Sequence, residues 1–247
     1  MQGFFAEGYK ISNFFNENDI ENILKKIIKK INIKSLSSSK DLKKYHEVIN
    51  DNIHSKISDR KNRYINLDKS ILNKISNNND LKKILLSDWG HADYSILRIG
   101  SLIGKKDSLI KDACVFRVAR PFNKFKRDVG GIHFDLNYGG RVNYNLSSFL
   151  TIWIPLIGFN DKYSLNVFPN SHKFIHLNKN LANNNKFLSP VFNKSYTKKF
   201  KEFRPNLKMG QAIIFNSNLL HGNSFNLGNL SRFSVELRIC NNKSFIK

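Results

Sequence analysis

The sequence predicts an α+β domain in which a β-sandwich or barrel is supported by helices on one face. Two observations lead there. Up to about residue 90 apolar residues recur at helical spacing, and after Trp89 and Gly90 the chain turns to short apolar or alternating runs punctuated by Gly, Asn and Pro. No repeat and no linker divides the chain, so residues 1–247 are expected to form one domain, with 1–90 as mainly helical support and 91–247 as the β core.

The elements follow in order. From Asn16 onward, Ile20, Ile23, Leu24, Ile27, Ile28 and Ile31 step by three and one, which stacks them on one helix face. Asn16 or Asn18 can cap this helix, and Asp19 and Glu21 suit its first turn, where the exposed amide groups favour negative charge. Further helices are predicted over 40–57 and 69–86, with polar stretches at 37–39 and 77–79. Strands are predicted over 94–99, 113–119, 149–156, 211–215 and 233–239.

Charge is the compositional outlier. The chain carries 41 Lys and Arg against 19 Asp and Glu, a net +22, which would ordinarily point to a polyanionic partner. Thirty-one of those cations are lysines and accompany abundant Asn and Ile, the pattern of an AT-rich coding sequence. Residues 1–100 hold 18 basic and 12 acidic side chains and residues 101–247 hold 23 and 7, so the C-terminal part is the basic part, without a dense local run. No stretch approaches the roughly 18 consecutive apolar residues of a membrane span. Residues 1–9 lack the basic start and long apolar run of a secretory signal, so a cytoplasmic location is expected. Cys114 and Cys240 stand far apart in apolar surroundings and read as buried free thiols.

The chemistry concentrates in Gly130-Gly131-Ile132-His133-Phe134-Asp135. On an extended strand alternate side chains share a face, so His133 and Asp135 can reach one metal ion together. Two histidines and one carboxylate on one face of iron leave positions open for oxygen and a cosubstrate. A third ligand is needed, and among His46, His54, His91, His172, His176 and His221 the last lies best, between the 211–215 strand and Gly222. Arg232 follows His221 by eleven positions; on the next strand it can pair in two-pronged fashion with a carboxylate, and Ser234 shares its face.

These motifs, in this order, resemble the phytanoyl-CoA dioxygenase family of Fe(II)- and 2-oxoglutarate-dependent oxygenases over most of the chain. Phe5-Ala6-Glu7-Gly8-Tyr9 with Asn13-Phe14-Phe15 looks like the family's opening segment, and His133-Phe134-Asp135 matches its metal pair. The run 149–156 looks like the strand that follows, and Pro169-Asn170-Ser171-His172-Lys173 is similar to its Pro-Gly-Ser-His-Lys turn, with Asn170 in place of glycine. The run 208–215 resembles the strand before the distal histidine. Asn tolerates a left-handed backbone, so the turn can survive the exchange.

The resemblance implies a double-stranded β-helix (jelly-roll, cupin-like) core with N-terminal supporting helices, and Fe(II) held by His133, Asp135 and His221. It implies 2-oxoglutarate on the iron with its distal carboxylate on Arg232, with Ser234, Thr151, Trp153 and Asn223 around the cosubstrate, and O2 as oxidant. His172 would be structural within its turn. Chlorinating members of the family have lost the metal carboxylate; Asp135 is present, so hydroxylation is the expected outcome. Arg117, Arg120, Asn137, Tyr138, Arg141 and Tyr144, beside the metal motif and on the strand before it, are the candidate substrate contacts, and their basic character suggests a small polar or anionic molecule. Two alternatives stand beside this. Arg232 and Arg238 are spaced Arg-x5-Arg, similar to the signature of dioxygenases that repair alkylated nucleic acids, and a basic, non-catalytic β-barrel binding module would need no iron at all.

Overall fold

The computed structural model describes residues 2–31, 54–56, 63–98, 110–125, 128, 130–135, 149–174, 192, 194–222 and 224–242. Helix α1 (Gln2–Glu7) leads into strand β1 (Tyr9–Asn13) and helix α2 (Glu17–Ile31). Strand β2 (Tyr64–Asn66) precedes helices α3 (Lys69–Ser76) and α4 (Asn79–Trp89). Strands β3 (Tyr94–Arg98), β4 (Ile110–Lys111), β5 (Ala113–Ala119) and β6 (Phe149–Ile157) follow. A helical turn at Ser171–Lys173, the short helix α5 (Lys194–Thr197), β7 (Gln211–Asn216) and β8 (Arg232–Asn241) complete the described elements.

All strand pairings are antiparallel, in the order β1-β7-β6-β8-β3-β4, with β5 lying between β8 and β2. The strand β8 is the hub, pairing with β6 along one edge and with β5 and then β3 along the other. Its side chains divide strictly by parity. Phe233, Val235, Leu237 and Ile239 join Leu150, Ile152, Ile154 and Leu156 of β6 and the apolar faces of α2, α3 and α4 in the main core. The isoleucine stripe of α2 is buried throughout, as its spacing predicts. The helices therefore cover one face of the sheet, and the alternate residues of β6, β7 and β8 are turned to the other face.

One expectation is corrected, and two strands join those expected. A single helix over 69–86 is instead α3 and α4, because Asn77 ends the first and the Asn78 side chain accepts the amide of Leu81 at 2.9 Å to cap the second. Residues 9–13, read only as part of an opening segment, form β1 against β7, and 64–66 form β2 against β5. Both strands are short and carry too few apolar residues to stand out from the sequence. Of the expected 40–57 helix only 54–56, which are helical, lie within the described residues. Cys114 and Cys240 are buried and unbridged. Among the described residues no helix is long and apolar enough to cross a membrane.

Candidate active site

A second, irregular layer faces the helix-free side of the sheet. His133 and His221 exchange both backbone hydrogen bonds, each 2.8 Å, and Val167 bridges to His221 and Phe203. Ile132 and Phe134 bury into an apolar cluster with Phe168, Phe192, Phe200 and Leu220, so His133 between them is turned the opposite way. Asp135 departs from the extended conformation, yet its Oδ1 lies 3.9 Å from His221 Nε2 and its carboxylate stays within 4.8 Å of a ring nitrogen of His133. Gly222 is required for this crossing. Its φ is +104°, and a Cβ there would lie 2.5 Å from the Gly131 carbonyl oxygen and 2.9 Å from His133 Nδ1.

One ligand atom from each of His133, Asp135 and His221 falls within 4.8 Å of the others. The Nδ1 of His133 lies 2.8 Å from the Gly131 carbonyl and that of His221 2.9 Å from the Leu219 carbonyl. A carbonyl can only accept, so each Nδ1 carries the proton and each Nε2 lone pair is left for a metal. Burial, reinforced by the neighbouring His221, pushes the His133 pKa down to about 4, which keeps it neutral and able to ligate at neutral pH. Burial would raise the Asp135 carboxyl, but Arg238, the two histidines and the Thr151 hydroxyl outweigh it and hold the group ionised. Thr151 Oγ1 donates to Asp135 Oδ2 at 2.5 Å, and Arg238 Nη2 donates to Oδ1 at 2.8 Å.

Along the same face of β8 stands Arg232, 5% exposed. Its Nη1 donates to the carbonyls of Tyr163 (3.0 Å) and Ser224 (3.1 Å), and its Cζ lies 5.7 Å from the Trp153 ring centroid. Arg232 has no acidic partner among the described residues, and its Nε and the Ser234 hydroxyl are buried without hydrogen-bond partners. Burial, with Arg204 and Arg117 nearby, pushes the Arg232 pKa down to about 9. A buried, incompletely satisfied guanidinium beside an unused hydroxyl has donors left over that a carboxylate could accept.

The structure thus brings together His133, Asp135, His221, Thr151, Trp153, Arg232 and Ser234. Trp153 also packs in an apolar cluster with Leu165, Val167, Ile213 and Phe215, so it meets Arg232 and fills core at once. Arg117, half exposed, points to the same face and meets Glu236 at 3.3 Å. Arg120 is not brought to the centre: its fork is closed on Asp128, at 2.8 and 2.9 Å, and it stacks on Phe125. Asn137, Tyr138, Arg141, Tyr144 and Asn223 lie outside the described residues. His172 does not bond within its own turn as expected but reaches across to helix α1, with Nε2 3.3 Å from the Phe5 carbonyl, and Asn170 adopts the left-handed φ of +67° that its glycine-like position needs.

Sequence reasoning missed Glu236 and Arg204 and gave Arg238 no role at the metal. Alternation from Arg232 along β8 is the signal that would have placed Glu236 and Arg238 on the site face. Arg204 left no signal: it comes from an irregular segment and donates to the carbonyls of Asp161, Lys162, Ser164 and Phe225 at 2.8 to 3.0 Å, pinning the loop on which Arg232 docks.

No protein-family profile and no curated protein matches this chain. Solved structures do. The non-heme alpha ketoglutarate dependent carbocyclase SnoK from nogalamycin biosynthesis aligns with a TM-score of 0.56 at 10% identity, covering 97% of this chain and 82% of that one. EctD from S. alaskensis aligns with a TM-score of 0.56 at 14% identity, covering 99% and 77%. The epimerase SnoN, in complex with Fe3+, alpha ketoglutarate and nogalamycin RO, aligns with a TM-score of 0.56 at 11% identity, covering 97% and 81%. At these identities the likeness is one of fold.

Proposed function

We propose that this protein is a non-heme Fe(II)- and 2-oxoglutarate-dependent dioxygenase, of the phytanoyl-CoA dioxygenase type, with a double-stranded β-helix core. The observation that carries the reading is a conjunction on one face of one sheet. Three ligand atoms within 4.8 Å of one another stand on the same side as a buried arginine that has no acidic partner among the described residues. The fold shared with alpha ketoglutarate dependent enzymes supports it.

The donor set fits iron: two neutral imidazoles and one carboxylate, with protein filling one side. His133 and His221 would bind through Nε2 and Asp135 through a carboxylate oxygen. Arg232 and Ser234 would hold the distal carboxylate of 2-oxoglutarate, whose charge answers the guanidinium. When bound, Fe(II) and 2-oxoglutarate would supply the activation of O2, the oxidant that would hydroxylate a substrate C–H bond while 2-oxoglutarate is converted to succinate and CO2. The chain's own residues hold the reactants. Trp153, Leu165, Val167 and Phe215 exclude water from the cosubstrate side, and Thr151 orients the metal carboxylate. Arg117 is the candidate contact for an anionic group of a small substrate, which would undergo hydroxylation.

Anaerobic reconstitution with Fe(II), followed by 2-oxoglutarate and air, tests this through succinate formation. Wild type should form succinate, and His133→Ala and Asp135→Ala should form none above background. Equal succinate in all three would overturn the reading in favour of a binding module.

A further inference from the structure

Asp135 is gripped on both oxygens by a cross-strand pair. The β6–β8 register sets Thr151 opposite Arg238, and the two side chains donate to Oδ2 and Oδ1 respectively. Two residues before Arg238, on the same face, Glu236 places Oε1 3.8 Å from Arg238 Nη2 and Oε2 3.3 Å from Arg117 Nε. Charge therefore alternates from the buried centre outward: Asp135, Arg238, Glu236, then the half-exposed Arg117. Two buried carboxylates on one face would repel each other without the guanidinium between them.

Building on the iron reading above, we propose that Arg238, steadied by Glu236, is a positioning residue for the metal carboxylate. With Thr151 it fixes the Asp135 plane so that Oδ1, which stands 3.9 Å from His221 Nε2, is the oxygen offered to the metal. A guanidinium beside a ligand carboxylate has two opposed effects. As a competing cation it weakens metal binding; as an orienting partner it strengthens it, and outer partners of metal ligands are typically worth about 10- to 100-fold in affinity. The sign of the change on its removal therefore tells which effect prevails.

The experiment is titration of the metal-free protein with Co(II), followed by calorimetry and by the visible absorption of the bound ion. Arg238→Ala is expected to bind Co(II) about 10- to 100-fold more weakly, with an altered absorption band. Arg238→Lys should recover most of that loss. Glu236→Ala should weaken binding several-fold on its own and add nothing in the double variant with Arg238→Ala. Should Arg238→Ala fail to fold by circular dichroism, Thr151→Val applies the same test to the other oxygen, with weaker binding again expected. Unchanged or tighter Co(II) binding by folded Arg238→Ala would overturn the proposal. Failure of folded wild type to bind Co(II) would instead overturn the iron reading beneath it.

Discussion

Replacing Arg232 by methionine should stabilise the ligand-free protein while abolishing its response to 2-oxoglutarate. In the structure the guanidinium is buried and its pKa falls from 12.5 to about 9, for which burial is the main cause and Arg204 and Arg117 the lesser ones. Such a fall corresponds to roughly 5 kcal/mol of penalty on the charged form. Methionine fills similar volume without the charge, but it leaves the Tyr163 and Ser224 carbonyls short of a donor, at about 1–1.5 kcal/mol each. The net gain should be about 2–3 kcal/mol, and at about 2–4 °C per kcal/mol for a chain of this size the melting temperature should rise by several degrees. Affinity moves the other way. Breaking a buried charge pair costs about 3–5 kcal/mol, so 2-oxoglutarate binding should weaken by roughly two to three and a half orders of magnitude. Thermal melts by circular dichroism with Mn(II), with and without 2-oxoglutarate, read both effects. Wild type at a hundred times Kd gains about 2.7 kcal/mol, whereas Arg232→Met at the same 2-oxoglutarate concentration should melt higher than wild type and shift by no more than about 1–2 °C. A variant that melts several degrees lower and still shifts like wild type would refute the reasoning.

Three further outcomes follow from the same geometry. Gly222→Ala forces a Cβ against the Gly131 carbonyl and His133 Nδ1, so metal binding should be lost in calorimetric titration, with a fall in melting temperature. Arg120→Ala breaks the buried fork with Asp128 and should cost about 3–5 kcal/mol in urea unfolding while leaving the KM for substrate unchanged. The His133 pKa, pushed to about 4 against an ordinary 6.5, predicts acid sensitivity of the metal-free protein. Between those values the unfolded chain binds a proton that the folded one refuses, so stability is complete above pH 6.5 and falls toward pH 4, by up to about 3 kcal/mol. His133→Gln should flatten that part of the melting temperature against pH, and an unchanged slope would count against the burial argument.

What was legible in the sequence was whatever depends on near neighbours or on a single strong period. The α2 stripe, the strands at 113–119 and 149–156, and the parity that sets Ser234 beside Arg232 all repeat within a few residues. The metal candidates were legible because His133 and Asp135 are close in sequence, though only the backbone bridge to His221 brings the third atom in. What was hidden depends on partners distant in the chain. β1 is a strand because β7 supplies its hydrogen bonds, and the Arg238 contact with Asp135 spans 103 positions. Asn78 could be read as part of a helix or as its cap; its bonds to Ser12 and the Asn13 carbonyl, made from β1, accompany the capped state.

The parity of β8 also bears on folding fidelity. A slip of one residue in its pairing would exchange the two sets of side chains, driving Arg232, Glu236 and Arg238 against the apolar helices and lifting Phe233, Val235 and Leu237 into the polar pocket. Each uncompensated charge so buried costs several kcal/mol, so the three together penalise the displaced arrangement by an amount comparable to the whole stability of a typical domain. The charged groups proposed to run the reaction therefore also proofread the hydrogen-bond ladder, and a chain stripped of them for stability would gain a competing register that the native sequence forbids.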